Sequence, residues 1–68
     1  MRQVSGRRMV AALRRAGWRL DRVRGSHNVM VMEGRAEILT VPVHGASPLK
    51  PGLLRAILRV SGLRPEDL

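Results

Sequence analysis

The sequence lacks cysteine, phenylalanine and tyrosine altogether, and it has a single tryptophan, Trp18. Without cysteine, neither a disulfide framework nor a thiolate metal site is possible. Proteins that bind single strands by base stacking interleave several aromatic residues with basic ones, and this pattern is missing here. Trp18 is therefore predicted to anchor the core rather than to stack on a base.

Long apolar runs are also missing. None approaches the ~20 residues that span a bilayer. The segment Met1–Gly6 has no apolar stretch behind its charges, so it does not resemble a signal peptide. We expect a soluble protein of the cytoplasm, without a membrane partner. The chain is about half the usual domain size, so it is expected to form one domain over residues 1–68.

Acidic residues are few: 5 Asp and Glu stand against 13 Lys and Arg, which gives a net charge of +8. Every basic residue except Lys50 is an arginine. Such an excess causes self-repulsion that an anionic partner relieves. Nucleic acid, an acidic protein and an anionic membrane surface all qualify, and charge alone does not choose among them. The hydrophobic content of 44% is ordinary for a globular chain, which argues against disorder.

Hydrophobic periodicity predicts two helices and three strands. In chain order, the predicted elements are a helix over Gly6–Ala16 capped by Ser5 and Gly17, strands over Trp18–Arg24, His27–Met32 and Glu37–Val43, a helix from Pro51 that Gly62 closes, and a final turn over Pro65–Leu68. An antiparallel three-stranded sheet with both helices on one face is the simplest α+β arrangement of this order. Pro42 predicts that the third strand ends there or lies at an edge. The second strand is apolar on both faces, so the side that His27 takes stays open.

Few residues could carry chemistry. No pair of histidines, and no histidine with a glutamate, has the i, i+4 spacing of a helical metal site, and phosphate-binding glycine loops and nucleophile elbows are absent. His27 follows the turn signal Gly25-Ser26 and could exchange a proton near neutral pH. In RNA cleavage such a group takes the proton of the 2′-OH, while arginines stabilise the phosphoryl oxygens. Composition alone favours a structural role for His27 in the turn. His44 is predicted to position a loop or contact phosphate.

Several segments of the sequence resemble one family in their order and spacing. They are Ser5-Gly6, Ala16-Gly17-Trp18, Gly25-Ser26-His27, Thr40–Gly45, Lys50–Arg59 and Ser61-Gly62-Leu63. Each is weak alone, but together they cover almost the whole chain. In this arrangement they resemble the HicA (YcfA-like) toxins of toxin–antitoxin pairs.

The resemblance implies an α-β-β-β-α fold like that of a double-stranded-RNA-binding domain. It also implies ribosome-independent mRNA cleavage with neither a metal nor another cofactor, and no small-molecule ligand. His27 would be the catalytic residue, and a HicB-type antitoxin would cover the active site. Some members have a second histidine directly after the histidine that corresponds to His27, whereas this chain has Asn28 at that position.

The predicted RNA contacts are basic side chains, because cationic groups bind the phosphate backbone, together with the serine that precedes His27. They are Arg7, Arg8, Arg22, Arg24, Arg35 and Ser26. Two alternatives stay open beside the ribonuclease: a non-catalytic RNA-binding module of the same fold, and a degenerate toxin that acts mainly through its antitoxin. A membrane-surface peptide is the weakest, because the segment between the helices reads as strands.

Overall fold

The computed structural model describes residues 3–68, and its elements follow the predicted order. They are α1 (Gly6–Arg15), β1 (Arg19–Arg24), β2 (His27–Val31), β3 (Leu39–Pro42), α2 (Pro51–Ser61) and a short 3₁₀ turn (Pro65–Asp67). The α+β class and the α-β-β-β-α order are confirmed. The predicted domain and the interpretation of the N-terminal segment both extend to Met1 and Arg2, which lie outside the described residues.

The three strands form one antiparallel sheet in the order β1-β2-β3. Strand β3 is shorter than the predicted Glu37–Val43, because its pairing with β2 runs only from Pro42 opposite His27 to Leu39 opposite Met30. Glu37 is not paired with a strand in the described residues 3–68. Pro42 ends β3, an edge strand, as predicted.

Local signals at the helix ends act as the sequence indicates. The Ser5 hydroxyl accepts a hydrogen bond from the Arg8 backbone N–H at 3.1 Å and so caps α1. At the other end, Gly17 takes a φ of +105°, which a residue with a side chain rarely adopts. Gly62 ends α2 in the left-handed conformation typical of helix C-termini.

Both helices pack on the same face of the sheet, and one hydrophobic cluster joins all the layers. The cluster is built from Val4, Met9, Leu13, Trp18, Met30, Leu39, Val41, Leu49, Leu54, Ile57 and Leu58. Trp18 is 2% exposed, which confirms its prediction as a core anchor. In the part of the chain that the structure describes, neither helix is long and apolar enough to cross a membrane.

A β-bulge in β1 decides which arginines face away from the helices. Leu20 pairs with Met30 on the core side, but the next pair is Arg22 with Val29, so Asp21 is an extra residue without a partner. With strict alternation, Arg22 would lie on the same side as Leu20. Because of the bulge, Arg22 and Arg24 instead lie on the opposite side of the sheet from Leu20. We call the sheet face opposite the helices the outer face; by register it carries Arg19, Arg22, Arg24, His27, Val29, Val31, Thr40 and Pro42.

Candidate functional site

His27 lies exposed on the outer face, at the first position of β2. A Gly25-Ser26 turn joins β1 to β2, and Gly25 takes a φ of +61°. Glycine at the first turn position followed by a residue with negative φ is typical of a type II′ hairpin. The turn places His27 directly opposite Arg24 in the ladder. Side chains at such paired positions have Cβ atoms about 5 Å apart, so the imidazole and this guanidinium are neighbours.

The turn that carries His27 is fixed to the rest of the sheet. The Ser26 carbonyl accepts a hydrogen bond from the Val43 backbone N–H at 2.8 Å and another from the Asn28 side-chain amide at 3.3 Å. Pairing with β3 therefore continues one residue beyond its last strand position. Within residues 3–68, none of the side-chain hydrogen bonds involves the His27 ring, which leaves the ring free to meet a ligand.

Three arginines form a row along β1 on the outer face. Asp21 accepts a hydrogen bond from Arg22 at 2.7 Å, and its carboxylate lies 3.8 Å from Arg19. Both pairs are largely exposed and contribute little stability. Over the described range 3–68, no carboxylate lies within ion-pairing distance of Arg24. Arg24 is thus an uncompensated cation beside His27. Arg19 is not among the predicted contacts, although its alternation with Leu20 is the signal that places it on this face.

The first turn of α1 brings two more predicted arginines to the same end of the sheet. Gly6 packs directly against the Pro42 carbonyl, and Pro42 is the β3 partner of His27. Arg7 is exposed in this turn. The Arg8 guanidinium donates a hydrogen bond to the Leu68 carbonyl at 3.2 Å, so part of its donor capacity is used within the chain.

Arg35 lies at the opposite end of the sheet from His27, in the connection between β2 and β3. Its guanidinium is 5.2 Å from the centre of the Trp18 ring and donates to Glu37 at 3.2 Å and to the Val60 carbonyl of α2 at 2.8 Å. The pKa of the Glu37 carboxyl is lowered, first by a hydrogen bond from the Glu37 backbone N–H and then by the Arg35 guanidinium. The structure therefore joins Arg35 to the core and the end of α2 and does not bring it to His27.

Replacing Arg35 with glutamine is expected to lower the free energy of unfolding by about 1 kcal/mol, because the stacking on Trp18 and the bond to the last turn of α2 are both lost. Urea denaturation followed by circular dichroism measures this. Arg24→Gln is the matched control and is expected to change stability by less than about 0.5 kcal/mol. Equal stability of the two variants would contradict a clamping role for Arg35.

The remaining histidine lies apart from the strands. His44 is exposed in the loop after β3, as predicted, and its backbone carbonyl accepts a hydrogen bond from Ser47 at 2.9 Å. No group of three or more His, Asp or Glu side chains comes together as a metal-ligating cluster in residues 3–68.

Comparison with known proteins gives one positive finding. A family model described as the HicA toxin of bacterial toxin–antitoxin systems matches residues 6–63 of the 68-residue chain. The match begins at Gly6 of α1, includes the whole sheet and ends just after α2. No curated protein matches the chain.

Proposed function

The chain belongs to the HicA toxin family of bacterial toxin–antitoxin systems, and on this basis we propose that it is an endoribonuclease that cleaves mRNA. The observation that carries the proposal is the exposed His27 on the outer face, directly opposite Arg24. The toxin acts without the ribosome and without a metal, and it acts in the cytoplasm, where mRNA is present.

His27 serves as the general acid or base of the reaction. As a base, its ring takes the proton of a ribose 2′-OH, and the 2′-oxygen forms a bond to the adjacent phosphorus. The bond from phosphorus to the 5′-oxygen of the next nucleotide breaks, and that oxygen receives a proton from water. The products are a 2′,3′-cyclic phosphate and a 5′-hydroxyl end. RNA supplies its own nucleophile, so one histidine in a field of arginines is a sufficient set of groups.

The arginines supply charge where the reaction develops it. Arg24 lies beside His27 and has no internal carboxylate partner in the described chain, so its guanidinium is available for a bidentate bond to phosphate. Arg22 and Arg19 extend this positive surface along the strand, and Arg7 and Arg8 extend it at the neighbouring helix end. Ser26, in the turn, contributes a polar group next to the scissile phosphate.

The antitoxin of the pair is proposed to be a HicB-type protein that covers the outer face. Val31 is a half-buried aliphatic residue on this face, next to the buried Val29, and the arginines of β1 form a basic margin around it. An apolar centre with a charged rim is the usual anatomy of a protein interface. An acidic partner would also relieve the self-repulsion of a chain with a net charge of +8.

Incubation of the purified protein with single-stranded RNA in excess EDTA tests the function. We expect cleavage, with cyclic phosphate ends detected by mass spectrometry. The same reaction with the antitoxin added first is the control and should show no cleavage. RNA binding without cleavage would contradict the enzyme and favour the binding module. Neither binding nor cleavage would favour a degenerate toxin.

Reversing the charge at Arg24 tests the RNA interface. Arg24→Glu is expected to weaken RNA binding at least tenfold and to reduce the slope of log K against log salt by about 0.7 or more, because one phosphate contact on a single strand is lost. Fluorescence anisotropy over a salt series measures both quantities. Arg59→Glu, an exposed substitution on α2, is the matched control. An unchanged salt slope in the Arg24 variant would remove Arg24 from the interface.

A further inference from the structure

A cavity of about 220 Å³ lies beside the end of β3, next to the loop that leads into α2. Most of its wall is apolar, and three polar side chains lie among the apolar ones. The lining residues are Pro42, His44, Ser47, Pro48, Leu49, Lys50 and Leu53. A cavity of about 150 Å³ can bind benzene, so this cavity is large enough for one small aromatic group.

The walls of this cavity are held in place on several sides. The Leu49 backbone N–H donates to the Val4 carbonyl at 2.7 Å, and Pro48 forms a bridge with Ser5. The bond from the Ser47 N–H to the His44 carbonyl closes the loop on the other side. A ligand would therefore meet a preformed site and would lose little affinity to ordering the chain.

The cavity is next to the proposed catalytic histidine. Pro42, which lines it, is the residue directly opposite His27 in the β2–β3 ladder, and paired positions have Cβ atoms about 5 Å apart. A strand of RNA with its scissile phosphate at His27 would pass the mouth of the cavity at the adjacent nucleotide.

We propose that this cavity binds the base of the nucleotide adjacent to the cleaved bond in single-stranded RNA, an inference that rests on the proposed function. Unpaired bases are recognised by stacking on rings such as that of histidine and by contacts to their edges. Here His44 supplies the ring, the proline and leucine side chains supply the apolar wall, and Ser47 and Lys50 supply donors for the base edge or its phosphate. This cavity would give the enzyme its base preference.

The three polar side chains are free for this role. Within residues 3–68, none of the side-chain hydrogen bonds or ion pairs uses the His44 ring, the Ser47 hydroxyl or the Lys50 ammonium. No carboxylate is among the lining residues, so nothing in the wall repels a phosphate. A nucleotide combines the three features that such a site would bind: a π face, an edge with hydrogen-bonding groups and a negative charge.

The test titrates each of the four ribonucleoside 5′-monophosphates into the ¹⁵N-labelled wild-type protein and follows the backbone amides by NMR. A monophosphate has no internucleotide bond to cleave, so binding is read independently of catalysis. We expect at least one of the four to shift the amides of His44, Ser47, Leu49 and Lys50. His44→Ala should weaken that binding about fivefold or more, because stacking is lost. His44→Phe should restore it, and Lys50→Gln should weaken it, whereas Arg55→Gln on the exposed side of α2 should not.

The outcome for the cavity is separate from the outcome for the enzyme. If the wild type cleaves RNA but no monophosphate shifts these amides, the base site is overturned and the ribonuclease stands. Shifts confined to the amides of β1 and β2 would overturn it as well. Amides that respond to an acidic peptide but to none of the four nucleotides would assign the cavity to a protein partner and overturn the proposal. Shifts at the cavity in a protein that cleaves no RNA would support nucleotide binding and refute the enzyme.

Discussion

Replacing His27 with alanine is expected to lower the rate of RNA cleavage by about 10²–10⁴-fold, the usual contribution of a positioned general acid or base. His27 lies exposed on the outer face beside the uncompensated Arg24. An alanine there leaves the arginines able to hold phosphate but removes the group that moves the proton. Single-turnover cleavage of a labelled RNA in EDTA measures the change.

The fold and RNA binding of the His27 variant are the controls. The side chain is exposed and has no hydrogen bond within the described chain, so the free energy of unfolding should change by less than about 0.5 kcal/mol. Affinity for RNA should stay within a few-fold of the wild type, because cationic contacts dominate such binding. If a pure, folded His27→Ala protein cleaved RNA at the wild-type rate, the proposed role of His27 would be refuted and the search would move to His44.

Gly6→Ala is expected to lower the free energy of unfolding by at least about 2 kcal/mol, although alanine is the better helix former. A Cβ at position 6 would overlap the carbonyl oxygen of Pro42 and crowd Val43. Both are backbone groups at the end of β3 and cannot rotate away, so α1 would have to move off the sheet. A domain of this size has a modest margin of stability, and a loss of this size is a large part of it.

Gly52→Ala is the matched control for Gly6, because both glycines lie in the first turn of a helix. A Cβ at Gly52 meets no atom within 4 Å, so alanine should raise the free energy of unfolding by about 0.4–1 kcal/mol. Urea denaturation is the suitable measurement, since guanidinium chloride would screen the repulsion among the arginines. Equal stability of the two variants would show that the contact between α1 and β3 yields easily.

The Gly6→Ala substitution is also expected to affect the functional site around His27. Gly6 joins α1 to Pro42, and Pro42 is paired with His27. A shift of α1 would therefore reach both the catalytic end of the sheet and the proposed base cavity. We attribute the glycine of the Ser5-Gly6 segment to this close approach, a reason that the sequence alone does not supply.

Elements with strong local signals were predictable. The Ser5 cap of α1 and the positive φ of Gly17 could be predicted, because each depends on only a few neighbouring residues. The Gly25-Ser26 turn was predictable for the same reason. The limits of β3 were not, since they depend on which of its residues pair with β2, and the connection between the two strands sets that pairing.

Arg35 illustrates how much about the role of a basic residue its charge alone leaves undetermined. As a basic residue it is predicted to bind RNA, but it stacks on Trp18 and bonds to the end of α2. Nothing in the sequence near Arg35 identifies Val60 as its acceptor, because the two residues meet only when the helix docks on the sheet. A test of RNA contacts should therefore separate Arg35 from the arginines of β1.

The sequence by itself determined the α-β-β-β-α order, the excess of positive charge and the motif that singles out His27, because these depend on composition and on short-range pattern. Tertiary structure alone decided the face on which His27 lies, since both faces of β2 are apolar in sequence and only the packing of Met30 beneath the helices distinguishes them. The bulge at Asp21 is the second such decision. By adding one unpaired residue it moves Arg22 and Arg24 to the side of His27, because strand register is set by the partner strand and not by the alternation within one strand.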